Sequence, residues 1–230
     1  MQSRSEKTRP APSAGRYLVV ALYAFAVFGW ELAVTVLLDP LWASTGATAS
    51  ALLHWAVTAA GWLVGAIAII RWIRAEADGA TPVFGPALRG HVAPRAVGII
   101  LAVAVAIGVR AAILQEWKLV GEYGRLAADD QGTAPLLFAV LLAYYLCEVA
   151  VVVLLVVLGQ RAGELRFGRP AVPWGGLVLG LTWGATHILL HGPATGLYAM
   201  LASLLYGLVF SLGNRRFAST YALIAVAFLL

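Results

Sequence analysis

The chain has 230 residues, of which 61% are hydrophobic and 12% are charged, and its mean hydropathy is +0.86. Soluble domains are about 45–50% apolar and about 25% charged, so this composition excludes an ordinary soluble protein. It predicts an all-α, polytopic transmembrane helical bundle. The net charge of +5 is explained by membrane topology, and we expect no nucleic-acid partner. The single cysteine, Cys147, excludes an intrachain disulfide.

Residues 1–16 are polar and predict a cytoplasmic tail. The apolar run at 17–38 is longer than the ~7–15 residues of a signal-peptide core and contains Glu31, so we predict a retained first helix. Six further apolar runs follow, at 51–70, 96–114, 135–158, 174–191, 195–213 and 217–230. A helix needs about 20 residues to cross a bilayer, and only the seventh run is short. We therefore predict one transmembrane domain over residues 17–230, with six to seven spans.

Basic residues alternate between the two sides of this arrangement. Thirteen of the sixteen lysines and arginines fall on one side, in the tail and in the segments 71–95, 159–173 and 214–216. The opposite connections hold only Lys118 and Arg125, while Arg110 lies within a run. Because basic loops remain cytoplasmic, we expect a multi-pass protein of the cell membrane with a cytoplasmic N-terminus, surrounded by the lipid bilayer. The 72–95 loop is its longest predicted cytoplasmic connection.

Ionisable side chains inside the apolar runs are the strongest indication of function. A charge at the bilayer centre costs at least ~2.5–3.5 kcal/mol, so such residues usually face a cavity or a partner. Six of them lie in the runs or at their ends: Glu31, His54, Arg110, Glu148, His187 and His191. With the predicted topology they share a depth in the mid-to-outer half of the bundle, which predicts one polar cavity there.

A glycine stripe gives the fifth run a close-packing face. Gly176, Gly180 and Gly184 recur every four residues, as in helices that approach closely in membranes. His187 and His191 continue the same face, so we expect both imidazoles to point into the bundle.

Glu148 and His187 are the candidate catalytic pair. A buried carboxylate can act as general base on water, and an imidazole can donate to a developing oxyanion. The same groups could instead shuttle protons or bind a polar headgroup. Around them, the candidate substrate-binding residues are Tyr144, Tyr145, Trp183, His191, Glu31 and Arg110, with the two tyrosines one turn before Glu148.

A metal site is the weaker interpretation of these residues. His187 and His191 have the i, i+4 spacing of a helical metal pair, and Glu148 could add a third ligand. No glutamate follows His187 as in the helical metalloprotease motif. We therefore predict neither a metal nor a cofactor.

From about residue 144 to residue 230 the chain resembles the CAAX-protease and bacteriocin-processing (CPBP) family of intramembrane proteases. That family has a Glu-Glu-x-x-x-Arg motif, a basic loop with a Phe-Gly turn, an aromatic-x-x-x-His motif and a final His-x-x-x-Asn-type motif. The matching elements here are Cys147-Glu148, Arg166-Phe167-Gly168 and Trp183-Gly-Ala-Thr-His187. The resemblance implies a water-activating role for Glu148 and an oxyanion-binding or orienting role for His187. It also implies a hydrophobic peptide, prenylated or lipid-like substrate.

The chain departs from the family pattern at several motif positions. Cys147 replaces the first glutamate, Val152 replaces the arginine, and the segment 221–230 has neither histidine nor asparagine. The resemblance therefore implies a divergent intramembrane protease or hydrolase. The alternatives are a non-catalytic CPBP-like protein that binds a lipid, a hydrophobic ligand or a partner helix, and a small transporter.

Overall fold

The structure is a computed structural model that describes residues 12–76 and 92–230, and these form helices with no strand among them. The first helical segment contains α1 (Ala14–Ala33), a π-helical turn (Val34–Leu38), α2 (Asp39–Trp42) and a 3-10 turn (Ala43–Thr45). The remaining helices are α3 (Ala47–Glu76), α4 (Val92–Leu114), α5 (Lys118–Asp129), α6 (Ala134–Phe167), α7 (Trp174–Leu179), a second π-helical turn (Gly180–Gly184), α8 (Ala185–Leu212) and α9 (Phe217–Leu229). Five helical segments are long and apolar enough to cross a membrane, and α9 is a shorter apolar helix. This confirms the prediction of a helical bundle.

The segment from α7 to α8 folds back on itself. Gly192 has φ 85° and ψ 171° and is followed by Pro193, so the helix is interrupted there. Only glycine adopts such a backbone conformation without strain. A side chain at Gly176 would place its Cβ 2.6 Å from the Ser203 carbonyl oxygen, and one at Gly184 would lie 3.0 Å from the Met200 Cα. The arms 174–191 and 193–212 therefore form a closely packed hairpin.

Helix α6 lies at the centre of the bundle and contacts α1, α3, α5, α7, α8 and α9. Every residue from Val151 to Gln160 is buried. This stretch is apolar on all faces apart from its last residue, as expected of a helix surrounded by other helices. The helix ends at Gly168, which has φ 63° and provides the left-handed residue that commonly terminates helices. Val152, where the CPBP pattern has arginine, is a core residue with no exposed surface.

Ion pairs and hydrogen bonds join helices at one end of the bundle, which we call the basic end. Arg16 at the start of α1 donates to Glu76 at the end of α3, with Nε 3.0 Å from Oε2. The buried Arg215 lies 2.7 Å from Glu164 of α6. Helices α3 and α6 continue into this polar region, so both are longer than the apolar runs that predicted them. Hydropathy does not detect the polar ends, because it falls where the arginines begin. Residues 14–16 of the predicted tail are helical, whereas residues 1–11 and most of the predicted 72–95 loop lie outside the described residues.

Helix α5 lies in a segment that the sequence analysis treated as a loop. Its first residue, Lys118, is buried, and its Nζ lies 3.6 Å from the ring centroid of Phe228 near the end of α9. The 13 residues of α9 extend about 20 Å at 1.5 Å per residue, against about 30 Å of hydrocarbon. The start of α5 therefore packs against the far end of a helix too short to cross alone.

Candidate functional site

Glu148 lies in the middle of α6, where its carboxylate is buried against the hairpin. The Trp183 indole N–H donates to Glu148 Oε1 at 3.1 Å, and the two residues are only 4% and 8% exposed, respectively. Trp183 belongs to the π-helical turn Gly180–Gly184. Such single turns contain one extra residue and are frequent at functional sites. The α6 carboxylate and the π-helical indole together form the centre of the candidate site.

His187 follows Trp183 by one turn and contacts that same residue. Its Nδ1 donates to the Trp183 carbonyl oxygen at 2.8 Å, and its ring lies 4.3 Å from the indole between centroids. His187 is half-buried, but His191 is exposed just before the Gly192 reversal, which differs from the expected inward orientation. Within residues 12–76 and 92–230, no hydrogen bond or ion pair joins Glu148 to His187. Instead, Trp183 contacts both members of the predicted pair.

Lys118 is the neighbouring charge that the sequence analysis missed. Its Nζ lies 3.7 Å from the ring centroid of Tyr145 and 3.6 Å from that of Phe228. Burial lowers the pKa of Lys118 to about 7, although the nearby Glu148 carboxylate raises it in part. The averaged hydropathy placed Lys118 in a connection on the outer side. The only sequence signal for its burial is that its neighbours in the chain are apolar. We call Glu148, Trp183, Lys118, Tyr145 and Phe228 the Glu148 cluster.

The two tyrosines before Glu148 donate to other carboxylates. The Tyr145 hydroxyl donates to Glu122 of α5 at 2.7 Å, and the Tyr144 hydroxyl donates to Glu31 of α1 at 2.5 Å. Burial alone would raise the pKa of Glu122, but hydrogen bonds from Arg125 and Tyr145 lower it overall. The tyrosines thus connect α6 to α5 and α1. Neither of them donates to Glu148, whose hydrogen bond comes from Trp183.

A second polar group surrounds His54, at the ends of α1 and α3. Its Nδ1 lies 2.9 Å from one oxygen of Asp39, and its Nε2 lies 3.8 Å from Glu31 Oε1. The π-helical turn Val34–Leu38 separates the two carboxylates along the chain. We call Glu31, Asp39, His54 and Tyr144 the Glu31 cluster. Asp39 was not among the residues predicted from sequence, because it stands at the polar end of the first apolar run.

In the described parts of the chain, Arg110 makes no direct hydrogen bond to a member of either cluster. Its guanidinium donates to Glu116 at 2.8 Å and lies 5.4 Å from the centroid of the Tyr198 ring. The predicted polar residues therefore share one end of the bundle but divide into neighbouring groups, with Tyr144 and Tyr145 adjacent on α6 between them. In the described parts of the chain, no group of three His, Cys, Asp or Glu side chains is arranged to hold a metal ion.

The Glu148 cluster places a carboxylate and an amine within one aromatic enclosure. A buried carboxylate and a lysine whose pKa lies near neutrality are groups that can take part in proton transfer or bind the polar part of a ligand. Neither a protein-family model, nor a curated protein, nor a solved structure matches the chain.

Proposed function

We propose that the protein is an integral membrane binding protein whose Glu148 cluster holds the polar end of a hydrophobic ligand or partner helix. On this proposal it is a divergent, non-catalytic relative of the CPBP proteases. Six to seven crossings, a location in the cell membrane and a cytoplasmic basic end complete the proposal. The distribution of arginines and the reversal at Gly192 support this topology.

The position of Trp183 carries the proposal. Its indole N–H donates to Glu148 Oε1, its ring packs against the His187 imidazole, and its carbonyl oxygen accepts the hydrogen bond from His187 Nδ1. A general base must reach the proton that it removes, directly or through one water. Among the described residues His187 makes its hydrogen bond to the Trp183 carbonyl oxygen and none to Glu148, so the structure shows no contact by which it would assist such a step. The aromatic side chains around both charges suit binding better than water activation.

Recovery of the bound molecule tests this function. The wild type, Glu148→Gln and Lys118→Met are purified in a mild detergent and extracted with organic solvent, and the extracts are compared by mass spectrometry. Since a hydrogen bond to a charged group contributes about 1.5–3 kcal/mol, we expect at least about tenfold less of one hydrophobic compound from each variant. Asp129→Asn, which changes an exposed carboxylate at the end of α5, is the matched control. Equal recovery from all four proteins would reject the proposal.

Hydrolysis is the second candidate, and Lys118 is the observation that favours it. With a pKa of about 7, its amine can accept a proton beside Glu148 and replace the basic partner that the motif lacks. Hydrophobic peptides and prenylated or lipid-like molecules are the substrate class.

A panel of quenched fluorescent peptides, with and without a prenyl group, tests this second candidate in proteoliposomes. We expect turnover by the wild type and none by Glu148→Gln, while His187→Gln retains most of it, because Glu148 accepts its hydrogen bond from Trp183 and His187 donates to the Trp183 carbonyl oxygen. Turnover that survives in Glu148→Gln would eliminate this reaction.

A further inference from the structure

An apolar slot lies between α3 and α6, towards the basic end. Six aliphatic side chains line it: Ile69, Ile70 and Ile73 from α3, and Leu154, Val157 and Leu158 from α6. Since α6 rises 1.5 Å per residue, the slot begins about 9 Å from Glu148 along the helix axis and continues away from it. It is therefore separate from the Glu148 cluster and does not rest on the proposed function.

Two arginines stand at the end of this slot. Arg74 lines it directly, and Arg71 precedes Arg74 by one turn on the same face of α3. Both residues are exposed, and neither has an ion-pair partner among residues 12–76 and 92–230. Two other arginines of the basic end are paired, Arg16 with Glu76 and Arg215 with Glu164. Two guanidinium groups that have no carboxylate partner in the described parts of the chain, beside an apolar slot, form a complement to an anion that carries a hydrocarbon chain.

We propose that this slot binds one acyl chain of an anionic phospholipid and that Arg71 and Arg74 hold its phosphate. A bilayer lipid presents these two parts in the required order, with the chain in the hydrocarbon and the phosphate at the interface. The aliphatic lining lies in the apolar part of α3 and α6, and the arginines stand where α3 approaches its end at Glu76. Guanidinium groups bind phosphate oxygens with paired hydrogen bonds, so the head of the lipid is fixed as well as its chain.

Lipid titration of delipidated protein, followed by native mass spectrometry, tests the proposal. Phosphatidylglycerol and phosphatidylcholine with the same acyl chains are compared. A basic residue near the surface contributes about 1 kcal/mol to anionic lipid binding, so two arginines predict a preference for phosphatidylglycerol of about tenfold or more. The double variant Arg71→Gln/Arg74→Gln should bind both lipids equally. These side chains are exposed, so folding should persist, and a thermal unfolding curve checks this.

The matched control is Arg166→Gln/Arg169→Gln, which removes the same charge from the exposed end of α6 and the connection that follows it. It should retain the wild-type preference. If the control pair loses the preference as fully as the slot pair, the basic end attracts lipid through its overall charge and the site does not exist.

Two further measurements distinguish a lipid from a free phosphate. Ile70→Trp, at a half-buried position of the slot, should weaken the binding of both lipids at least about tenfold, since it fills the space of several methylene groups. Glycerol phosphate, which has no acyl chain, should fail to displace phosphatidylglycerol. Displacement by glycerol phosphate, or unchanged lipid binding by Ile70→Trp, would overturn the proposal.

Discussion

The indole of Trp183 determines what Glu148 can do, because it donates the hydrogen bond that holds the buried carboxylate. Replacement of Trp183 by phenylalanine retains an aromatic ring and removes only the N–H donor. A buried acceptor left without its partner costs about 1–3 kcal/mol, and we expect the free energy of unfolding to fall by that amount. Denaturant unfolding in detergent micelles measures the loss.

A double-mutant cycle with Glu148→Gln separates the hydrogen bond from the packing of the ring. The effects of Trp183→Phe and Glu148→Gln should be non-additive, because the two residues share one interaction. Strict additivity would show that the bond contributes nothing.

Lys118 predicts an unusual pH dependence of stability. Its pKa in the folded protein is about 7, below the value of about 10.4 for an exposed lysine. Between these values the unfolded chain binds a proton that the folded chain does not, so stability should rise from about pH 7 towards pH 10. Thermal unfolding at several pH values measures this rise.

Lys118→Met is the control for this pH dependence, since it keeps an unbranched side chain without the amine. The other ionisable groups near Lys118 are Glu148, Arg110, Glu122 and Glu116, and the variant replaces none of them. The slope should disappear in Lys118→Met. A slope that persists unchanged would assign it to another group.

Sequence reasoning identified single residues where they contrasted with their surroundings. Glu148 and His187 stand out because each interrupts an apolar run. The contacts that Trp183 makes with both residues were not predictable, because a tryptophan in an apolar run looks the same in sequence whether or not its N–H donates to a carboxylate. Lys118 was missed for the opposite reason, since a lysine between two helices normally faces water.

At the scale of elements, close packing of the hairpin depends on its glycines. A methyl group at Gly176 would lie 2.6 Å from the Ser203 carbonyl oxygen, so Gly176→Ala must separate the two arms. Overpacking of this kind costs about 1–3 kcal/mol. Gly108→Ala in α4 is the matched control, because nothing lies within 4 Å of its Cβ position, and it should be neutral or slightly stabilising. Unfolding of both variants in the same detergent compares them, and equal stability would contradict the packing argument.

The apolar runs predicted the order of the apolar helices, but neither their number nor their ends. Hydropathy detects the part of a helix that lies in lipid, so it stopped at residue 158 while α6 continues to Phe167. It also passed over α5, because an amphipathic helix with polar residues on one face has a low average hydropathy. The sequence predicted only the division of this region into the runs 174–191 and 195–213, and the reversal between them follows from the Gly192-Pro193 pair, which cannot continue a helix.

At the scale of the molecule, the central helix α6 connects the basic end to the two polar clusters. Thiol labelling tests the orientation of this axis in the cell membrane. In a Cys147→Ser background, a membrane-impermeant maleimide should label Asp130→Cys in intact cells and should label Arg216→Cys only after permeabilisation. Both positions are exposed and lie at opposite ends of the bundle. The reverse pattern would invert the proposed topology.

The distribution of arginines predicted which helix ends lie together. Basic residues tend to remain on one side of a membrane, and this tendency acts on every connection of the chain. It did not predict which side chains pair across the bundle. Those contacts depend on the rotation of each helix about its axis, which the seven runs leave undetermined.

The short last helix also constrains the order in which the protein can be assembled. Lys118 contacts the rings of Tyr145 and Phe228, and Phe228 is synthesised long after the other residues of the Glu148 cluster. The second aromatic contact can therefore form only after α9 has been made. The Glu148 cluster is complete only late in biogenesis, when nearly the whole chain has been synthesised.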